Sequence, residues 1–211
     1  MSEHPHHDGV PHRHPLRPDQ DDTLTYWRAM EIAVRELLIE KQIATADEIR
    51  AEVEMMDNRS PVQGARVVAR AWTDPDYKRL LLEDGNAACE ALGLERGLYK
   101  LIAVENSDKV HNVVVCTLCS CYPRFLLGLP PDWYKSRNYR SRMVNTPRQV
   151  LREFGTEIDD DVTVRVHDSN ADMRYLVVPR RPDGTDGWTE AQLAELVTRD
   201  SMIGVALARN P

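Results

Sequence analysis

Three of the chain's four cysteines fall within six residues, Cys116-Thr117-Leu118-Cys119-Ser120-Cys121. Thiols packed this tightly are placed for joint chemistry. A disulfide needs two Cα atoms about 4.4–6.8 Å apart with converging Cβ vectors, and three thiols in one turn cannot pair evenly. A structural zinc site usually draws its four ligands from two separated half-motifs, and the sequence contains no second C-x-x-C and no H-x-x-x-H. Cys89 stands apart, 27 residues upstream in an apolar run. A single loop offering three soft thiolates, with its own amides as further donors once deprotonated, suits a small, highly charged ion. The segment therefore reads as a metal claw first and a disulfide site last.

Such a loop needs rigid support, and strand ends supply it. Leu98–Val104 and Val110–Val115 are β-rich, and the claw begins where the second run stops. Val162–His167 and Met173–Pro179 alternate as strands, with residues 168–172 as the turn between them. Helices are expected over Ser136–Val144, over Pro147–Glu153, and from Thr189 to near Arg199. Before the strands the period is helical: Trp27, Met30, Ile32-Ala33-Val34 and Leu37-Leu38 recur at three-to-four spacing. Thr45-Ala46-Asp47-Glu48 has the form of a capping box, and Ser60-Pro61 and Asp74-Pro75 open two further helices.

This order defines an α+β fold in three parts. Residues 1–22 hold five of the seven histidines among prolines and charges, which predicts a disordered tail, solvated by default and metal-scavenging on a functional reading. Residues 23–92 form a helical arm and 93–211 a metal-binding α/β domain.

The hexapeptide within Val113–Pro123, followed by Leu127-Gly128-Leu129-Pro130-Pro131-Asp132-Trp133-Tyr134-Lys135, resembles the metal-binding segment of the nitrile hydratase α subunit. The likeness continues through Tyr139–Arg142, Pro147–Leu151, Gly184–Trp188 and Thr198–Val205, roughly residues 24–207 in all. Thiocyanate hydrolase γ subunits share the pattern. The resemblance implies stacked α-β-β-α layers and a helical arm that wraps a β-type partner. It implies low-spin Co(III) or Fe(III), with Thr117 pointing to cobalt. Cys116 would stay a thiolate, Cys119 become a sulfinate and Cys121 a sulfenate, and the amide nitrogens of Ser120 and Cys121 would complete the ligand set. Buried oxyanions must be paired, and in this family two arginines of the β-type partner do so. A hetero-oligomer and a metallochaperone or activator follow. The implied reaction hydrates a nitrile to a carboxamide: the Cys121 oxygen, or a water it activates, attacks the nitrile carbon, and Ser120 hydrogen-bonds the bound ligand.

Other positions carry both a functional and a plainer reading. By the resemblance Asp168 and Arg174 brace the site, with Asp172 where Glu is more usual; a turn carboxylate and a surface arginine are the plain reading. His111 reads as a satisfied sheet histidine rather than a ligand, Trp133 and Tyr134 as loop packing rather than a substrate-channel lining, and Arg140, Arg142 and Arg148 as a solvated helix face rather than pairs for a partner's acids. Two departures matter. Nitrile hydratases usually carry Pro-Trp-Pro after the claw, where this chain has Pro123-Arg124-Phe125, and Gly97 stands where some carry Gln. A cation at Arg124 suits a polar or bulky nitrile such as toyocamycin, whose hydratase splits its β component into two chains. Thiocyanate hydrolases resemble this chain at Arg124, which suits an anionic substrate hydrolysed to carbonyl sulfide and ammonia; against them, Gly128-Leu129-Pro130-Pro131-Asp132-Trp133 reads like a nitrile hydratase.

Composition sets the outer limits. A chain of 211 residues and 24.1 kDa, 42% hydrophobic, can bury a real core. A net charge of −7 argues against nucleic-acid binding. No apolar run approaches the roughly 20 residues of a membrane span, and no secretory signal is apparent, so the expected location is cytoplasmic.

Overall fold

The computed structural model describes residues 24–94 and 97–211, so the expected histidine-rich tail lies outside the described residues. Two compact units divide between Ala51 and Glu52, within the second helix.

In the first unit Thr25 caps α1 (Tyr26–Glu40) by accepting from the Arg28 amide. Helix α1 buries none of its residues, and Tyr26, Trp27, Met30, Val34 and Leu37 lie exposed along it. The capping box expected at Thr45 is present at the start of α2 (Ala46–Asn58): Glu48 accepts from the Thr45 amide at 2.8 Å, and Thr45 Oγ1 accepts from the Glu48 amide at 3.1 Å.

The second unit holds the core. Helix α3 (Val62–Thr73) buries Ala65, Val67, Val68, Ala69 and Ala71. Asp74 caps α4 (Pro75–Glu83), with Pro75 at the first helical position, where its missing N–H costs nothing. Asp84 caps α5 (Gly85–Ala91), which surrounds Cys89. Next come β1 (Lys100–Glu105) and β2 (Val110–Val115), followed by the short α6 (Arg124–Leu127) and α7 (Asp132–Lys135). Then α8 (Arg137–Asn145) and α9 (Pro147–Glu153) lead to β3 (Thr163–Asp168) and β4 (Met173–Val178). The expected single C-terminal helix is two, α10 (Glu190–Leu196) and α11 (Arg199–Ile203). Val197 turns extended, and Thr198 opens a fresh capping box with Ser201.

The turn at residues 168–172 does not close a hairpin. β1 pairs in parallel with β4, from Lys100 opposite Met173, and β2 pairs in parallel with β3, from Val110 opposite Thr163 to Val115 opposite Asp168. The turn thus carries the chain from one two-stranded sheet to the other, anchored where the Ser169 amide donates to the Val115 carbonyl at 2.8 Å. Helices α4 and α5 pack on β1, while α8 and α9 pack on β2 and β3. Leu101, Ala103, Val113, Val115, Leu176 and Val178 share one buried cluster, so the expected α-β-β-α layering is what forms. Each fully buried aliphatic side chain contributes about 1.5–3 kcal/mol.

One glycine locks the end of this core. Gly204 ends α11 at φ +90°, and an added Cβ would lie 2.0 Å from the Asn112 carbonyl oxygen of β2. Only a residue without a side chain fits there.

Candidate metal centre

β2 delivers the claw: Val115 is its last residue, and Cys116 begins the loop. The three sulfurs of Cys116, Cys119 and Cys121 lie within 4.8 Å of one another. Cys116 and Cys119 are 3.5 Å apart, and Cys119 and Cys121 are 3.2 Å apart, too far for a disulfide and close enough to share one ion. With metal–sulfur bonds of about 2.3 Å, two donors at a right angle on one ion stand about 3.3 Å apart and two at tetrahedral corners about 3.8 Å. The observed spacings fall in or close to this range, so the three sulfurs can be donors to one soft-ligand ion. Cys116 is buried, Cys121 partly buried and Cys119 exposed.

Charge in the cluster is uneven. A hydrogen bond from Cys121 holds the Cys119 thiol below the usual thiol range. Burial, and then the bonds Cys121 makes to Cys119 and Cys116, push Cys121 up to about 12. Arg174 draws Cys121 in the opposite direction.

The surroundings tie the loop down. Asp168, at the end of β3, accepts from the Thr117 amide at 2.9 Å and from the Thr117 hydroxyl at 2.5 Å. Arg140 on α8 donates to the Thr117 carbonyl at 3.3 Å. Tyr134 on α7 is wholly buried and donates its hydroxyl to the Cys121 carbonyl at 2.9 Å. A cleft of about 560 Å³ opens in front, lined by Cys119, Ser120, Cys121, Arg124 and Arg174 together with Tyr99. The Arg174 guanidinium lies 4.5 Å over the Tyr99 ring. The structure thus brings Arg124 and Arg174 to the cleft beside the claw, while Asp168 reaches the claw from outside the cleft lining.

Several plainer readings are settled by contacts. His111 is a buried sheet residue: its Nε2 donates to the Gly204 carbonyl at 2.7 Å, which leaves Nδ1 facing the Asn106 amide at 3.3 Å. Burial pushes it below the usual imidazole range, so it is neutral and committed to the fold. Trp133 packs as expected, 4.7 Å from the Phe154 ring. The solvated reading of the arginines is wrong for two of the three. Arg140 holds the claw, and Arg148 donates to the Ile158 and Asp159 carbonyls ahead of β3. Arg142 pairs with Glu153 at 2.8 Å. The Tyr134 hydrogen bond also went unanticipated. No local sequence signal marks it, because both the burial of Tyr134 and its partner follow from where α7 docks.

Fold and site together define a layered α+β chain whose clustered thiols, at a strand end, can hold one metal ion. The sequence matches the family described as nitrile hydratase, alpha chain, over residues 25–206. The chain belongs to that family and is therefore an enzyme subunit. It is 52% identical to the cobalt-containing nitrile hydratase subunit alpha of Pseudonocardia thermophila, covering 92% of this chain and 97% of that one. It is 48% identical to thiocyanate hydrolase subunit gamma of Thiobacillus thioparus, over 85% of this chain and 79% of that one. A double mutant of the Fe-type nitrile hydratase from Comamonas testosteroni Ni1 superposes with a TM-score of 0.82 at 39% identity, covering 91% and 94%.

Proposed function

We infer that this chain is the α subunit of a cobalt nitrile hydratase, converting R–C≡N and water to R–C(O)NH2. The observation that carries the reading is the convergence of three sulfurs within 4.8 Å at a cleft that also presents Arg124 and Arg174. When bound, a trivalent ion supplies Lewis-acid polarisation. Cys116, Cys119 and Cys121, with the amide nitrogens of Ser120 and Cys121, would hold it. Cobalt is favoured by Thr117 and by the cobalt-containing relative at 52% identity.

The chain's own groups then divide the work. Cys121, as a sulfenate, attacks the nitrile carbon through its oxygen or takes a proton from the water that does. The Ser120 hydroxyl hydrogen-bonds the substrate, and Arg124 and Arg174 make the cleft wall cationic. Asp168 fixes Thr117 through both its amide and its hydroxyl. A polar or bulky nitrile such as toyocamycin suits a cleft of this size and charge. The sulfinate of Cys119 and the sulfenate of Cys121 need cations beyond this chain, and a β-type partner, whole or split in two, supplies them within a hetero-oligomer. Leu98 and Leu118 beside the claw are 104% and 82% exposed, the kind of apolar surface a partner covers. The helical arm expected over 23–92 is a second surface for that partner, through the exposed row on α1. An activator protein loads the metal, and the cytoplasm is the compartment where reduced thiols await it. No helix among the described residues is long and apolar enough to cross a membrane.

A second reading, thiocyanate hydrolysis, is favoured by Arg124 on the cleft and by the thiocyanate hydrolase relative at 48% identity. Coexpression with the partner chains and cobalt, followed by parallel assays of carboxamide from toyocamycin and carbonyl sulfide from thiocyanate, separates the two. Amide as the main product upholds nitrile hydration; carbonyl sulfide as the main product transfers the assignment.

A further inference from the structure

Tyr134 is wholly buried and does not line the cleft, and its hydroxyl also meets the buried Ser169 side chain. Its ring lies 5.2 Å from Tyr122, 5.9 Å from Trp133 and 5.6 Å from Tyr139, so packing fixes the phenol whether or not the hydroxyl is bonded. That hydroxyl donates at 2.9 Å to the Cys121 carbonyl, the last carbonyl of the claw. Holding a residue's carbonyl fixes the rotation about its Cα–C bond, and with it the direction in which the same Cα presents its side chain. The two ends of the loop are held from one segment, because Arg140 takes the Thr117 carbonyl from α8 just downstream.

We propose that Tyr134 is a positioning residue of the metal site, setting through the Cys121 carbonyl where the Cys121 sulfur sits. The inference rests on the reading of Cys121 as the reactive ligand. A reacting group displaced by even a fraction of an ångström loses rate steeply, while binding of substrate in the cleft is untouched. Tyr134 thus acts on turnover and on the sulfur's electronic environment, not on affinity.

Tyr139 provides a matched control. It is equally aromatic and 5% exposed, and its hydroxyl donates at 2.7 Å to the Val114 carbonyl, inside β2 and off the claw. Tyr134→Phe and Tyr139→Phe are made in the cobalt-loaded, partner-assembled enzyme and compared by sulfur-to-cobalt charge-transfer absorption and by steady-state kinetics. The expected result is a displaced absorption band in Tyr134→Phe, with kcat lowered about tenfold and KM within about twofold, and an unchanged band in Tyr139→Phe. A wild-type band and kcat in Tyr134→Phe would overturn the proposal. So would equal effects in both variants, or failure of both to assemble, since these mark the hydroxyls as supports of the fold. If the wild-type assembly consumes no nitrile, the reaction assigned above fails, whereas the absorption comparison still decides Tyr134.

Discussion

Cys121 is the residue whose chemistry is most shaped by its surroundings. Burial and its bonds to the neighbouring thiols push it up to about 12, so in the metal-free chain at neutral pH its sulfur carries a proton. That proton must leave before the sulfur can ligate. Each unit of pH below about 12 makes the thiolate tenfold scarcer, so apparent cobalt affinity rises with pH, by at least about tenfold per unit between pH 6 and 8, and more for every further donor that loses a proton. Chelator competition across that range checks the slope, and a pH-independent affinity would contradict the protonated state. Arg124 is a residue-scale test of substrate choice. Its guanidinium is exposed at the cleft, where a single charge contact is worth about 1 kcal/mol at most. If an anion is the substrate, Arg124→Gln raises KM for thiocyanate about fivefold with little change for a neutral nitrile; an unchanged KM removes Arg124 from recognition. The claw itself was legible in the sequence, because three thiols at fixed short spacing have few uses. Its supports were less legible: nothing in local spacing tells that Arg140 and Tyr134 reach Thr117 and Cys121, since those contacts depend on where α7 and α8 dock.

At the scale of elements, local signals located the pieces and missed their pairing. The Thr45–Glu48 box, the Asp74-Pro75 start and the bounds of β2 and α9 all follow from capping chemistry and periodicity. The turn after β3 reads equally well as a hairpin, and only the register shows that Asp168 lies beside Val115 because β2 and β3 run parallel. That register is what brings a carboxylate to the claw. Gly204 guards it from the far side: its carbonyl accepts from His111 Nε2, and its missing Cβ leaves room for the Asn112 carbonyl. Gly204→Ala adds a left-handed backbone penalty to a backbone clash and is expected to cost at least about 3 kcal/mol. Urea unfolding measures it, and a loss below about 1 kcal/mol would show that the β2–α11 junction yields more easily than its geometry implies.

For the molecule as a whole, the layers serve to hold a short thiol-rich loop at a cleft, and several of its groups look outward. Cys119 and Leu118 are exposed, and α1 carries an apolar row with nothing buried. On the proposed function a partner closes the cleft and pairs the oxidised sulfurs, and the oxidation is therefore the central claim. Trypsin releases Val110–Arg124 as one peptide, because Lys109 and Arg124 bound it with no Lys or Arg between. Mass spectrometry of that peptide from the cobalt-loaded, partner-assembled enzyme is the most direct test. The account predicts two added oxygens on Cys119, one on Cys121 and none on Cys116; three unmodified cysteines in the loaded assembly would contradict it.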